Sequence, residues 1–247
     1  MSKLRLIVKK LKKLRYGRDY VLARHQGLRF MLRASNHVDR KLLGGGRYEA
    51  EQISKVIGII NQRKVDLFVD IGANIGVYSI RIAKACPGLE KVVAIEAQIE
   101  NYNQLCANIR LNDLDRRVDA RHVGASDKAG VVEFLINKGS STGTSRIKDT
   151  APKDTKARKF NLDMVKVDTI DNLLQAVEGR SIFFKIDVEG HERNVLLGMK
   201  KVLQKNHCFF QIEILDSNPQ RVTEGLGLKP IDQVGGDLYF ESFPEPS

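Results

Sequence analysis

The segment Asp66–Tyr78, DLFVDIGANIGVY, decides the fold. Val65, Leu67, Phe68, Val69 and Ile71 form a nearly continuous apolar run, the pattern of a strand covered on both faces of a parallel sheet. Asp70 falls at the carboxyl end of that strand, where open α/β sheets bind their ligands. Gly72 and Gly76 lack a Cβ, so the chain can turn tightly into a helix and let a ligand approach closely. The spacing is not the G-x-G-x-x-G of a dinucleotide site, and Asp70 beside the turn would repel a pyrophosphate. It could instead hold an ammonium group. S-adenosylmethionine carries an ammonium, a sulfonium and no phosphate, so it suits the turn Gly72-Ala73-Asn74-Ile75-Gly76 better.

A second acid stands where such a cofactor needs one. Lys91-Val92-Val93-Ala94-Ile95 reads as the next strand, and Glu96 closes it. A carboxylate there can accept hydrogen bonds from both ribose hydroxyls, as the acid about 20 residues on does in nucleotide-binding folds. Strands often end in an acid, so Glu96 gains weight through its pairing with Asp70 at the end of the preceding strand.

Together DIGANIGVYS, the strand-terminal Glu96, VGASDKAG and KIDVEGHE resemble the FkbM-type S-adenosylmethionine-dependent methyltransferases, from about Tyr48 to Glu213. The glycine turn is common to many methyltransferases, whereas Lys185-Ile186-Asp187-Val188-Glu189-Gly190-His191-Glu192 is more particular to this family. The resemblance implies a Rossmann-like class I methyltransferase fold, with cofactor-binding positions at Asp70, Gly72, Asn74, Gly76 and Glu96. It also implies that Ala125 and Ser126, in the loop after the third strand, lie beside the adenine. The family usually has a proline soon after the ribose-binding acid, and this chain has Ala97-Gln98-Ile99 there.

Asp187, Glu189 and His191 crowd the end of the Ile182–Val188 strand, with Gly190 permitting the turn among them. Asp187 and Glu189 are two apart and share one face while the backbone stays extended. Glu213 ends the neighbouring strand and joins them as a substrate-side candidate. Methyl transfer to oxygen requires a hydroxyl to be placed on the methyl group and its proton to be accepted. Asp187, Glu189 and His191 are the candidate bases, His191 by its ordinary pKa and Glu189 if burial raises its own. His191 could equally cap the helix that begins there, with Glu192 facing its positive end. Magnesium would suit these oxygen ligands, but nothing else in the sequence demands an ion, and no metal is assigned.

The 247 residues suffice for one sizeable core, and a hydrophobic fraction of 42% is ordinary for a soluble globular protein. No apolar run approaches the roughly 20 residues that span a bilayer, and no signal-peptide pattern is evident. Cys86, Cys106 and Cys208 have neither metal spacing nor an even count and read as core residues of a reducing compartment. The expected location is cytoplasmic.

The net charge of +11 is uneven. Residues 1–50 hold 14 Lys and Arg against Asp19, Asp39 and Glu49, while the remainder balances at 27 of each sign. Leu4, Ile7, Val8, Leu11 and Leu14 recur at helical spacing with Lys9, Lys10, Lys12 and Lys13 opposite. This basic amphipathic pattern suits an anionic membrane surface, which makes residues 1–18 one candidate for a peripheral contact with the inner membrane face. Packing on the protein's own domain and binding of RNA are the other readings. The segment lacks aromatic residues interleaved for base stacking, which counts against nucleic acid.

Tyr20–Leu32 suggests a short hairpin, and Gly44-Gly45-Gly46 a joint before a helix over 48–62. Strands at 65–71, 91–96 and 118–123 then alternate with helices at 76–85 and 99–111, which implies a doubly wound, mostly parallel α/β sheet. Val131–Ile136 and Met164–Val167 read as extra strands around a polar stretch, 137–161, of the length of a binding loop. A strand at 181–187, one helix over 191–203, a strand at 207–214 and a helix opening at Asn218-Pro219 follow. A C-terminal antiparallel hairpin at 228–234 and 237–242 favours a methyltransferase sheet over a dinucleotide fold. The expected division is an N-terminal extension, 1–47, and a methyltransferase domain, 48–247.

The favoured activity is S-adenosylmethionine-dependent O-methylation; the resemblance implies a sugar, glycan or secondary-metabolite hydroxyl as acceptor. The alternatives are RNA ribose methylation and a non-catalytic cofactor-binding or membrane-adaptor protein. Methylation of base amines is disfavoured because the chain has no N/D-P-P-aromatic motif.

Overall fold

The computed structural model of the chain describes residues 20–138, 144–150, 159–214 and 218–244. The basic segment 1–18 and much of the polar 137–161 stretch lie outside those residues.

The order opens with strands β1 (Tyr20–His25) and β2 (Leu28–Arg33), then helices α1 (His37–Leu43) and α2 (Ala50–Arg63). Strand β3 (Leu67–Ile71), helix α3 (Val77–Ala85), strand β4 (Lys91–Glu96), helix α4 (Ile99–Leu111) and strand β5 (Val118–His122) form the first βα run. Strands β6 (Gly124–Ala125), β7 (Gly130–Asn137), β8 (Arg146–Ile147) and β9 (Phe160–Asp168) come next, followed by helix α5 (Ile170–Leu173). The chain resumes with strand β10 (Ser181–Ile186), helices α6 (Glu192–Leu197) and α7 (Lys200–Lys205), and strand β11 (His207–Glu213). Helix α8 (Pro219–Thr223) and strands β12 (Lys229–Val234) and β13 (Asp237–Ser242) complete it.

The central sheet has seven strands in the order β12-β13-β11-β10-β3-β4-β5. The five from β11 to β5 run parallel, while β13 lies antiparallel to both β11 and β12. The terminal hairpin is therefore present and closes one side of the sheet. Adjacent residues explain the double-sided burial: Phe183 and Phe209 enter one core, Phe184 and Phe210 the other. The first core lies beneath α2, α3 and α4; the second lies beneath α5, α6 and α7. Central strands with nearly continuous apolar runs fit between two such layers.

The β1–β2 hairpin joins the first core through Phe30 and Leu32. Its exposed edge is satisfied by two asparagines, Asn108 on α4 and Asn112 at the C-terminal cap of that helix. Met31 N–H donates to Asn108 Oδ1 at 2.7 Å, and Arg29 N–H donates to Asn112 Oδ1 at 3.0 Å. Asn112 Nδ2 returns a bond to Arg29 O at 2.7 Å. A strand edge would otherwise leave these backbone groups unpaired.

Several expectations need adjustment. The helix expected over 191–203 is two, interrupted at Gly198 and Met199, where a Cβ on Gly198 would stand 2.0 Å from the Ser126 carbonyl oxygen. The chain turns there, and Asp171 restarts the helix by accepting from Lys201 N (3.1 Å) and Val202 N (3.0 Å). The strand expected over 118–123 ends at His122, and Gly124–Ala125 leave the main sheet to pair with β9. Helix α2 begins only at Ala50 because Glu49 has a left-handed backbone, φ 45°. Helix α1 and the one-turn α5 were not evident in the hydrophobic pattern. Beside the main sheet stands a second, four-stranded one in the order β6-β9-β7-β8, which forms a flap over the strand ends that carry the site.

Candidate functional site

The site follows from where β3, β4 and β10 end. Their C-terminal residues meet at the loops that precede α3, α4 and α6, around one cavity. Gly72, Asn74, Glu96, Ala125, Asp187, Glu189 and His191 all line it. Asp70, Gly76, Ser126 and Glu213 do not, and each acts on the wall from behind or beside it. The flap closes the far side with Phe134, Ile147, Val165 and Val167.

The two glycines are required by the protein's own chain. Gly72 has φ 79°, and a Cβ there would lie 1.9 Å from the Asp187 carbonyl oxygen. Gly76 has φ 84°, and its Cβ would strike Leu105 of α4 at 2.5 Å. Close ligand approach was expected at both; Gly72 borders the cavity, whereas Gly76 serves helix packing. Asp70 is wholly buried and fixes the first turn of α3, accepting from Ser79 Oγ (2.6 Å) and Ser79 N (3.1 Å). Its other oxygen, Oδ1, is buried without a partner.

Glu96 forms the opposite wall. Its Oε2 accepts from Asn74 N and its Oε1 from Gln98 N, each at 2.8 Å. Burial raises its pKa to about 7 despite those bonds. Asn74 Oδ1 and Gln98 Oε1 are buried acceptors without a partner, so this end of the cavity calls for ligand N–H or O–H groups. An adenosine-bearing cofactor has both, and the residues present fit it. At the Ala97-Gln98-Ile99 departure, Gln98 precedes the first turn of α4 and His122 bonds the Ala97 carbonyl at 3.0 Å.

The β10 wall is held by ions. Lys185 is buried, with Nζ 2.9 Å from Asp187 Oδ2 and 5.0 Å from the Tyr78 ring centroid. Burial opposes its charge, but the carboxylates of Asp187, Asp70 and Glu49 outweigh that and hold its pKa above the ordinary lysine value. Partial burial and the hydrogen-bonded Asp187 carboxylate push Glu213 up to about 8, although its side chain reaches solvent on one side. Glu189 has a left-handed backbone, φ 56°, and Gly190 follows at φ 100°. Burial and the Asp187 charge push Glu189 up to about 7, against the pull of Arg146, whose Nη2 lies 3.1 Å from Glu189 Oε2. Arg146 belongs to β8, so this ion pair ties the flap to the β10 loop.

His191 is largely buried, and burial lowers its pKa. Its Nε2 lies 2.9 Å from Ser126 Oγ, which itself donates to Asp127 Oδ1 at 3.0 Å. Ser126 has one proton, so His191 carries its own on Nε2 and leaves Nδ1 as a bare, buried acceptor without a partner. His191 does not cap α6 through its side chain; Glu192 bonds back to Gly190 N at 2.7 Å. No group of three or more His, Cys, Asp or Glu among the described residues has the geometry of a metal site.

The sequence reading missed the flap's apolar lining, the unpartnered Gln98 Oε1 and the Arg146–Glu189 pair. Alternation of Val132, Phe134 and Ile136 along β7 was the available signal for the lining, since one face of that ribbon is apolar and inward.

Residues 70–234 match the family model described as the methyltransferase FkbM domain. Among solved structures, the chain is similar to methyltransferase FkbM from Methylobacillus flagellatus KT, with 22% identity and a TM-score of 0.43. That match covers 71% of this chain and 43% of the other, so the chain spans under half of that protein. It is also similar to M. jannaschii TYW2 in complex with AdoMet, at 16% identity, TM-score 0.44, covering 92% of this chain and 85% of that one. P. horikoshii TYW2 in complex with MeSAdo follows at 15% identity, TM-score 0.46, covering 92% and 70%. No curated protein matches the sequence.

Proposed function

The chain belongs to the methyltransferase FkbM family, and we propose that it transfers a methyl group to a hydroxyl of a sugar, glycan or secondary-metabolite acceptor. S-adenosylmethionine is the cofactor and supplies, when bound, a methyl group on a positively charged sulfur. The observation that carries the reading is that one cavity joins the Glu96 wall to the Asp187–Glu189 wall.

In this reading Glu96, Asn74 and Gln98 receive the polar edges of the adenosine, and Ala125 packs beside it. Asp187, pinned by Lys185, orients the acceptor hydroxyl. Glu189 takes its proton, because a carboxyl with a pKa of about 7 is half-ionised at neutral pH and a stronger base than an ordinary glutamate. His191 is bonded to Ser126 and is assigned to the cofactor side. The flap excludes water from the reacting groups. Residues 48–247 form the catalytic unit, and residues 1–47 extend it. Within that extension, residues 1–18 would hold the enzyme against an anionic lipid surface, with lipid-linked glycans as a class of acceptor within reach. No described helix is long and apolar enough to cross a membrane.

Label transfer from methyl-labelled S-adenosylmethionine into lipid-glycan, small-molecule, protein and RNA fractions of a cell extract tests the acceptor class. Label confined to RNA would overturn it. With an accepting fraction in hand, Glu189→Gln should lower kcat by about 10²–10⁴ and abolish the rise of wild-type activity with pH through about 7. The rise is expected because the base must lose its proton to act. His191→Ala should chiefly weaken cofactor binding. A larger kcat loss from His191→Ala than from Glu189→Gln would transfer the base assignment to His191.

A further inference from the structure

A second concave site lies away from the methyl-transfer cavity, where the N-terminal hairpin meets α2 and α3. It is an open groove whose lining includes Arg47, Arg81 and Lys84 together with Leu28, Ile53 and Ile57. Arg81 and Lys84 are three residues apart on α3, and Ile53 and Ile57 four apart on α2, so each pair presents one face.

Arg81 is the informative residue. It is 7% exposed, yet its Nε is buried without a hydrogen-bond partner. Its bond is from Nη2 to His25 Nδ1 at 2.7 Å. His25 is itself buried, and its Nε2 lies 2.8 Å from the Gly46 carbonyl oxygen. The carbonyl can only accept, so His25 carries its proton on Nε2 and offers Nδ1 as a neutral acceptor. A neutral imidazole orients the guanidinium but does not neutralise it. Among the described residues, Arg47, Arg81 and Lys84 form no ion pair. Glu49 acts on Arg81 through space, but burial raises the pKa of Glu49 and weakens it as a counter-ion. Holding a buried, unneutralised guanidinium is costly. A multiply charged anion in the groove would remove that cost.

We propose that this groove binds the phosphate or diphosphate group of a ligand whose apolar part rests on Leu28, Ile53 and Ile57. A guanidinium fork matches phosphate oxygens, a second arginine and a lysine complete a triple positive charge, and the apolar wall lies alongside. The groove shares Arg47, Ala50 and Ser54 with a neighbouring concavity that reaches Glu49, Glu51 and Gln52. A ligand longer than its phosphate therefore has a continuous path along α2. The phosphate could belong to a soluble ester or to a lipid headgroup.

The test is calorimetric titration of the full chain with pyrophosphate at low salt, beside co-sedimentation with vesicles containing phosphatidic acid. Arg81→Gln removes the fork. Arg47→Gln with Lys84→Gln changes two exposed side chains and guards against a folding defect. Pyrophosphate binding at least tenfold weaker in both variants would support a soluble phosphate ligand. Vesicle binding that both variants weaken, without pyrophosphate binding, would support a lipid headgroup. Equal binding by wild type and the double variant in both arms, or no binding in either, would overturn the proposal.

Discussion

Two walls of one cavity solve the same problem differently. Each must keep a carboxylate at the end of a buried strand. At β4, Glu96 is held by the backbone amides of Asn74 and Gln98 and, among the described residues, forms no ion pair. At β10, Asp187 is held by the buried Lys185, and Glu189 by Arg146. Amide donors set a carboxylate's position and leave its charge uncompensated, so burial raises Glu96 to about 7. Ion pairs compensate charge but bind the site's stability to the survival of each partner. The first wall is built to be completed by a ligand, whereas the second carries its own cations, which fix its acids in place and still leave Glu189, at about 7, able to take up a proton.

Removing the cation should break the second wall most severely. Lys185→Met strands Asp187 among Asp70, Glu49 and Glu213, and chemical denaturation should show a loss of about 3–5 kcal/mol. A loss under about 1 kcal/mol would mean that solvent, not Lys185, stabilises those acids.

The seam between the walls comes next. Gly72→Ala drives a Cβ into the Asp187 carbonyl and imposes a left-handed backbone on alanine. The backbone strain alone costs roughly 1–3 kcal/mol, and the displaced Asp187 should carry acceptor binding with it. Gly76→Ala should cost stability through Leu105 while disturbing Asp187 less. Equal effects on acceptor KM from the two substitutions would dissolve the distinction.

The smallest effect sharpens the first wall. A carboxyl whose folded pKa is about 7 and whose unfolded value is 4.5 favours folding below 4.5 and loses that contribution as pH rises through 7. Glu96→Gln should therefore raise the melting temperature of the cofactor-free protein at pH 8, by about 2–4 °C for each kcal/mol recovered. The same variant should bind S-adenosylmethionine more weakly. Greater stability without weaker binding would remove Glu96 from the cofactor site.

How much of this was legible depended on the range of the interaction. DLFVDIGANIGVY predicts its strand, turn and helix because apolar periodicity and glycine placement act within a few residues. Glu96 and Asp187 were legible because strand ends can be read from where an apolar run stops. The single helix expected over 191–203 failed for a different reason. Gly198 is intolerant of a Cβ only because Ser126, far away in sequence, packs against it. The Arg146–Glu189 tie was hidden likewise, since β7–β9 pairing is needed to bring residue 146 over residue 189.

The sequence by itself determined the doubly wound sheet, the switch from strand to helix at Gly72, and the acids at the strand ends. These follow from local pattern, since burial on two faces calls for apolar residues at most strand positions. Tertiary structure alone decided which atoms each acid meets: amides for Glu96, a buried ammonium for Asp187, a guanidinium from the flap for Glu189. It also decided that a neutral His25 would face Arg81 across the hairpin joint. Asn74–Glu96, Arg146–Glu189 and Arg81–His25 join residues 22, 43 and 56 apart, and although Lys185 lies only two residues from Asp187, a side chain's charge state depends on whichever distant neighbour removes its water.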